Sequence, residues 1–179
     1  MNPKRWLALV SVLLGLTLLS SCGRYRDEPL CDEHFAEGDF SGFQLRDGGL
    51  ATDPETGLTW YRCNAGERFR GDQCVGLAVL LTRDDAVAYV EDFNRSSQRR
   101  WRLPTRDEFS SLMAQDCVNP AINRQVFPSV VSDSYWNADD SRHNDYMGCT
   151  TNTYSGYSFC REMRSNQRPF LLVTGGEPR

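Results

Sequence analysis

Histidine is scarce in this chain, and the patterns of a nucleophilic hydrolase are missing. Of the 179 residues two are histidines, His34 in a polar segment and His143 in a polar loop. No serine occupies the Gly-x-Ser-x-Gly pattern that presents a nucleophile on a sharp strand-to-helix turn. A mechanism of the Ser-His-Asp type needs a base beside such a nucleophile. The sequence therefore gives no support to hydrolysis of this kind.

Basic charge is also in short supply. The 20 Lys and Arg residues are outnumbered by 24 Asp and Glu residues, and the formal net charge is −4. The single lysine, Lys4, lies with Arg5 in the leader described below, so every later basic residue is an arginine. Nucleic-acid binding depends on neutralising many phosphates. An acidic chain is therefore not predicted to bind nucleic acid.

Long apolar runs are confined to the amino terminus. Lys4 and Arg5 precede an apolar run over residues 6–19, and small residues follow, which is typical of a secretory signal peptide rather than a membrane span. The run ends in Leu19-Ser20-Ser21-Cys22, which resembles a bacterial lipobox. That resemblance implies thioether lipidation of Cys22 and cleavage just before it. An ordinary cleaved signal with a chance cysteine is the alternative interpretation.

The mature chain is predicted to be a lipid-anchored protein of the cell envelope. Several acyl chains on Cys22 would anchor it durably, because each buried methylene contributes about 0.8 kcal/mol. Gly23 follows the cysteine, and by resemblance to enterobacterial sorting rules the lack of Asp there favours the outer membrane. We predict a signal peptide over residues 1–21, a lipidated polar tether over 22–42 and one folded domain over 43–176.

Six further cysteines follow Cys22, and they are Cys31, Cys63, Cys74, Cys117, Cys149 and Cys160. An even number in an exported protein predicts three disulfides, for which fifteen connectivities are possible. Cys63 with Cys74, and Cys149 with Cys160, each enclose a short glycine-containing segment, so we predict these two local pairs. Cys31 with Cys117 then follows by elimination. The spacings lack the short knuckle of zinc ligands, which disfavours the alternative of a zinc site, and no metal or other cofactor is predicted.

Residues 100–109 predict a strand, a stop and a helix start in close succession. Trp101 and Leu103 alternate with arginines, which is the period of a strand with one buried face. A proline then ends the strand. Thr105 followed by Glu108 forms a capping box, in which each side chain accepts a hydrogen bond from a free amide of the first helical turn. We expect these residues to be structural.

The remaining patterns predict an α+β domain with two helices, short antiparallel strands and long loops. Thr82 with Asp85 marks the start of a first helix over residues 83–94, and the capping box starts a second over 106–115. The first helix has a predicted buried face of Ala86, Val87, Val90 and Phe93. Strands are predicted over residues 50–52, 58–62, 134–138, 157–163 and 170–174.

An ordered series of motifs resembles a known bacterial family. The motifs are Thr56–Cys63 with Asp53 before it, Gly71–Gly76, Trp101–Thr105 with Glu108, Asn119–Asn123, Phe127-Pro128 and Tyr135-Trp136. Their order is similar to that of the domain family named after the carboxy-terminal domain of the Legionella collagen-like adhesin (Lcl), from about residue 43 to residue 173. The resemblance implies a C-type-lectin-like fold and export to the envelope. For the founding adhesin it implies binding of sulfated glycosaminoglycans.

The Arg-Leu-Pro-Thr-x-x-Glu run, from Arg102 to Glu108, also resembles the formylglycine-generating and related sulfatase-modifying enzymes, which share the lectin-like superfold. That resemblance implies an oxidase with copper on a pair of reactive cysteines. The six cysteines are better explained as disulfides, and the run is explained by capping and core packing. The protein is therefore predicted not to be an enzyme.

Arginines form two groups that are candidates for binding an anion. The first group is Arg95, Arg99, Arg100, Arg102 and Arg106, and the second is Arg161, Arg164 and Arg168. Guanidinium forks bind sulfate and carboxylate well, so convergence of the two groups would create an anion-binding face. In the alternative interpretation these arginines pair with nearby acidic residues, namely Asp84, Asp85, Glu91, Asp92, Asp107 and Glu162.

An oxygen-rich loop after Trp136 offers weak candidate ligands for calcium, namely Asn137, Asp139, Asp140 and Asp145. Calcium prefers carboxylate and amide oxygens. The alternative is a solvated loop, because alanine interrupts the Trp-Asn-Asp pattern of calcium-dependent lectins and their Glu-Pro-Asn loop is missing.

The function predicted from these observations is that of a non-enzymatic envelope lipoprotein whose lectin-like domain binds a glycan or a protein partner. Aromatic side chains that could stack on sugar rings are Tyr135, Trp136, Tyr146, Tyr154 and Tyr157. A structural or accessory envelope lipoprotein without a small ligand is the main alternative. The sulfatase-modifying type of oxidase is the third hypothesis.

Overall fold

Residues 28–175 are described by a computed structural model and contain helices, short strands and long loops. The helices are α1 (Cys31–His34), α2 (Arg83–Ser96) and α3 (Arg106–Ser110). The strands are β1 (Gln44–Arg46), β2 (Leu50–Thr52), β3 (Thr59–Tyr61), β4 (Arg68–Arg70), β5 (Gln73–Val75), β6 (Ser134–Asp140), β7 (Met147–Asn152), β8 (Tyr157–Met163) and β9 (Val173–Thr174). The predicted signal peptide, Cys22 and Gly176 lie outside this range. None of the described helices has the length and apolarity to cross a membrane.

The strands form short antiparallel sheets around a first core. One sheet has the order β1-β2-β3-β9, a second has the order β6-β7-β8, and β4 pairs with β5. Trp60 of β3, the predicted anchor of the early hairpin, is fully buried. Its ring meets Phe109 and Phe127 edge-on, with centroids 6.4 and 6.3 Å away. Edge-to-face contacts between aromatic rings stabilise a core beyond what the burial of their apolar surface contributes.

A second core lies beneath α2. Ala86 and Val90 pack with Trp101, Trp136 and Phe170 in this cluster. The predicted helix begins where expected but runs to Ser96, two residues further than predicted.

The predicted buried face of α2 is wrong at two positions. Val87 and Phe93 are 37% and 40% exposed, whereas Arg83 is buried with Ala86 and Val90. These three buried residues are three and four apart, so they form one narrow stripe along the helix. The face of α2 that packs on the domain therefore includes an arginine, and the positions of the apolar residues alone do not predict this face.

Trp101 and Leu103 are buried as the alternation predicts, but the segment is a bridge rather than a regular strand. Within this segment only Arg102 pairs with β9. Its N–H donates to Val173 O at 2.9 Å, and Val173 N–H donates to Arg102 O at 3.0 Å. The next helix, α3, ends at Ser110 instead of residue 115. Its continuation is tightened by a bond from Met113 N–H to Ser110 O, and Met113 then bridges to another segment.

Residues 28–175 contain three disulfides, which pair as predicted: Cys31–Cys117, Cys63–Cys74 and Cys149–Cys160. The last of these joins β7 to β8, and Cys74 lies in β5. Each of the two local bridges spans 11 positions, whereas Cys31–Cys117 spans 86. Closing a longer loop restricts the unfolded chain more, so the long bridge is expected to stabilise the domain most.

The described part of the predicted tether over residues 22–42 makes hydrogen bonds to the folded domain. Cys31 N–H donates to Val118 O at 2.9 Å, and Gly38 N–H donates to Gln125 Oε1 at 2.7 Å. Asn123 Nδ2 donates to Asp39 O at 2.7 Å. From about residue 30 onward the chain is therefore held against the folded domain. Its backbone N–H and C=O groups find hydrogen-bond partners there, which the polar composition of the segment does not reveal.

Both predicted helix starts carry their caps. Thr82 Oγ1 accepts from Asp85 N–H at 3.3 Å. Thr105 Oγ1 accepts from Glu108 N–H at 3.2 Å, and Glu108 Oε2 accepts from Thr105 N–H at 2.8 Å, which completes the capping box. Arg102 adds a two-pronged ion pair to the same carboxylate, with distances of 2.6 and 2.7 Å.

The environment of Glu108 lowers its pKa. Burial alone would raise the pKa, but hydrogen bonds from Arg102 and Thr105 outweigh that effect and hold it below the ordinary value of 4.5. A carboxyl group with a lowered folded-state pKa contributes stability above its unfolded pKa, and that stability is lost as the pH falls through the folded-state pKa.

We predict that Glu108→Gln lowers the free energy of unfolding by about 1–3 kcal/mol at pH 7, because a partly buried charge-assisted contact is lost. Denaturant titrations of both proteins from pH 7 to pH 3 measure the difference. The difference in the free energy of unfolding should be constant near neutral pH and shrink as the pH falls below the ordinary glutamate pKa of 4.5. Asp107→Asn, which removes an 89% exposed carboxylate on the same turn, is the matched control and should have little effect. A difference independent of pH would contradict the assigned role.

Candidate functional site

Arginines of the two groups lie near both ends of α2. Arg164 contacts Asp84 in the first turn of the helix, whereas Arg95 lies in its last turn. The helix has 14 residues, which correspond to a length of about 20 Å. These two members of the predicted anion-binding face are therefore far apart.

Most of the predicted arginines are held in ion pairs. The pairs are Arg95–Asp92, Arg102–Glu108, Arg106–Asp107, Arg164 with Asp84 and Asp140, and Arg168 with Asp133 and Glu162. Arg161 contacts His143, with 3.4 Å between Nε and Nε2. Within residues 28–175, Arg99 and Arg100 have no carboxylate within 4.0 Å. The alternative interpretation, intramolecular pairing, thus describes five of the eight residues.

Arg99 and Arg100 lie beside a polar depression of about 450 Å³ that follows the end of α2. Its lining is Glu91, Asn94, Ser97, Gln98, Arg99 and Arg100. The backbone here is held firmly, because Asn94 donates to Trp101 O at 2.7 Å and accepts from Trp101 N–H at 2.8 Å. Trp101 Nε1 donates to Ser97 Oγ at 3.1 Å. The two exposed guanidinium groups are therefore presented from a fixed turn.

A larger groove runs along α2 and shares Glu91, Asn94 and Arg100 with the polar depression. Its volume is about 720 Å³, within the range of small-molecule sites. Its walls are mostly apolar, formed by Val87, Val90, Trp101, Leu103 and Ala138. Three arginines also line it, namely Arg83, Arg100 and Arg102, together with the carboxylate of Glu91. We call this surface the α2 groove.

Arg83 was not among the sequence-predicted site residues, although it is the most buried arginine of the α2 groove. Its side chain is 5% exposed, and its Nη2 donates to Ala138 O at 2.7 Å. A signal was present in the sequence, because Arg83 lies three residues before Ala86 and seven before Val90, on the apolar stripe of the helix.

The four weak calcium candidates do not form one cluster, although Asp140 and Asp145 line the same depression. Asn137 is fully buried and donates to Thr151 Oγ1 at 3.3 Å, whereas Asp139 accepts from the backbone N–H of Arg106. Asp140 is paired with Arg164 at 3.3 Å. The depression that Asp145 and Asp140 line also contains the Arg164 cation. A guanidinium group among the carboxylates competes with a metal ion for their charge.

The model of the Lcl C-terminal domain family matches residues 49–174 of this chain. This chain belongs to that family. The matched range is more than half of the sequence and runs from β2 to β9, so it contains α2, the polar depression and all of the α2 groove except Gly175. Among curated proteins and solved structures no significant match was found.

The cysteines of this Lcl C-terminal domain bear on the sulfatase-modifying hypothesis. All six cysteines in the described part of the chain are paired in disulfides. Disulfide sulfurs are not the thiolates that bind copper. The ligand pair that the oxidase resemblance requires is therefore not provided by these residues.

The aromatic candidates for sugar stacking separate into two sets. Tyr135 and Trp136 are fully buried in β6 and belong to the two cores. Tyr146, Tyr154 and Tyr157 are exposed. Only the exposed set of the Lcl C-terminal domain is available to a partner.

Proposed function

We propose that this protein is a non-enzymatic envelope lipoprotein whose Lcl C-terminal domain has a C-type-lectin-like fold and binds an anionic glycan. The observation that carries the proposal is the exposed Arg99–Arg100 pair beside the polar depression. Within residues 28–175 these two adjacent guanidinium groups have no carboxylate partner, so each can bind sulfate or carboxylate through two hydrogen bonds.

The acidic composition of the chain is compatible with this proposal, because a local cationic patch acts over short distances. At physiological salt the Debye length is about 8 Å, so distant carboxylates are largely screened. The polar depression also offers the amide of Gln98 beside the two arginines. Amide and guanidinium groups together provide the donors that glycan hydroxyl and sulfate oxygens accept.

We predict that Arg99→Gln/Arg100→Gln weakens binding to immobilised heparin, as a sulfated glycan probe, at least tenfold. Surface plasmon resonance across a salt series measures the affinity, and the wild-type protein should lose affinity as salt rises. Arg95→Gln/Arg106→Gln is the matched control, because it removes the same charge from two ion-paired arginines. Equal weakening by both double variants would indicate diffuse attraction. Absence of wild-type binding at low salt would overturn the anionic-glycan proposal.

A second candidate function is that of an accessory lipoprotein that binds another envelope protein. The segment from Val75 to Leu80 favours it, because Leu77 is 86% exposed and Leu80 and Val75 are also exposed. Exposed apolar side chains close in sequence are typical of protein-binding surfaces.

For this second candidate, Leu77→Ser is expected to abolish crosslinking in membranes to a single stoichiometric protein partner. Val131→Ser is the control, since Val131 is also an exposed apolar residue, at 55%, but lies outside this segment. Quantified crosslinked product on gels provides the measurement. Loss of product in both variants, or in neither, would remove the support that Leu77 gives to this function.

The proposed lipid anchor has a separate test. We expect Cys22→Ala to move the protein from the membrane fraction to the soluble fraction, because the lipidated residue is lost. Ser21→Ala keeps a small residue before the cleavage site and should leave the protein in the membrane fraction. A density gradient that separates inner from outer membranes should place this control variant with the outer membrane. Unchanged fractionation of Cys22→Ala would contradict lipidation at this residue.

A further inference from the structure

Arg83 is a buried cation with few partners. Its Nη2 donates to Ala138 O, but Nε is buried and has no hydrogen-bond partner. Among residues 28–175 no carboxylate lies within 4.0 Å of its guanidinium group. A buried charge without a counter-ion is unfavourable. This residue is therefore incompletely satisfied by the protein itself.

Arg62 shows how the same domain satisfies a buried arginine. It is also 5% exposed, yet its Nε and Nη2 donate to Val126 O and Gln125 O, both at 2.8 Å. Its guanidinium carbon also lies 4.6 Å from the centroid of the Phe69 ring. Burial lowers the pKa of both arginines. Arg62 and Arg83 are thus equally shielded from solvent, and they differ in the number of hydrogen-bond partners that the protein gives them.

The acidic residues closest to Arg83 are already engaged. Asp84, Asp139 and Asp140 attract it through space, but Asp84 and Asp140 form ion pairs with Arg164, and Asp139 accepts from the backbone N–H of Arg106. The charge of Arg164 also repels Arg83. An additional negative group beside Arg83 would therefore be favourable.

The position of Arg83 limits where such a group can come from. Its side chain lines the α2 groove, and its stem lies against Gly148, where an added Cβ would be 3.5 Å from Arg83 Cγ. The groove walls are apolar, and Arg102 at the groove is committed to Glu108. A complementary ligand needs a negative head and an apolar body.

We propose that the α2 groove binds a small amphipathic carboxylate, with its head beside Arg83 and its apolar part along Val87, Val90 and Trp101. This site goes beyond the proposed glycan function, since it is a different surface with a different ligand class. Arg100 lies at both surfaces, whereas Arg83 lines only the groove.

Sodium octanoate is the probe, titrated into the full chain by isothermal titration calorimetry. It should bind at least tenfold more tightly than 1-octanol, which lacks the charge, and than acetate, which lacks the apolar chain. Arg83→Met should weaken octanoate binding at least tenfold while the melting temperature stays equal or rises, because a buried unpaired cation is removed. Val87→Trp should weaken binding equally by filling the groove with Arg83 intact.

Arg161→Gln is the matched control, because it removes an exposed arginine that does not line the groove and should leave octanoate binding unchanged. Unchanged binding in Arg83→Met, or equal binding of octanol, would overturn the proposal. If Arg83→Met fails to fold, the Val87→Trp result decides. If octanoate fails to bind and Val87→Trp converts a dimer to a monomer in sedimentation, a second copy covers the groove and the proposal is wrong. Heparin binding should be unaffected by Arg83→Met, so failure of one proposal leaves the other standing.

Discussion

The ion pair between Arg102 and Glu108 joins the parts on which the rest of the domain depends. The backbone of Arg102 pairs with Val173 of β9, and its side chain holds the carboxylate that caps α3. The helix in turn places Phe109 against Trp60 in the first core. One residue thus couples a sheet edge, a helix start and a core. A partly buried, two-pronged ion pair gives this junction a defined geometry.

The same junction decides which cations remain for binding. Arg102 lines the α2 groove, but its charge is neutralised by Glu108 and its Nη2 also donates to Gly175 O at 3.0 Å. Arg100, two residues earlier, has no carboxylate partner within residues 28–175 and lies between the groove and the polar depression. Position along the chain is therefore a poor guide to binding, because neighbouring arginines differ completely in their partners.

Arg83 is the residue of this domain whose charge conflicts most clearly with its buried position. Helix α2 needs an apolar stripe to pack on the second core, yet its first buried position is an arginine that receives one carbonyl partner. Natural sequences keep such conflicts chiefly where function requires them. Arg62, equally buried but fully engaged, indicates that the fold can satisfy an arginine when the role is structural.

The sequence by itself determined the features that depend on near neighbours. Thr105 and Glu108 cap a helix through adjacent amides, the local cysteine pairs close short loops, and β8 has its predicted bounds of Tyr157–Met163. The tertiary structure decided the rest: the early end of α3, the distant ion pairs of Arg164 and Arg168, and the burial of Arg83. These depend on which surfaces meet across long stretches of chain, and a residue's type and spacing do not specify its distant partners.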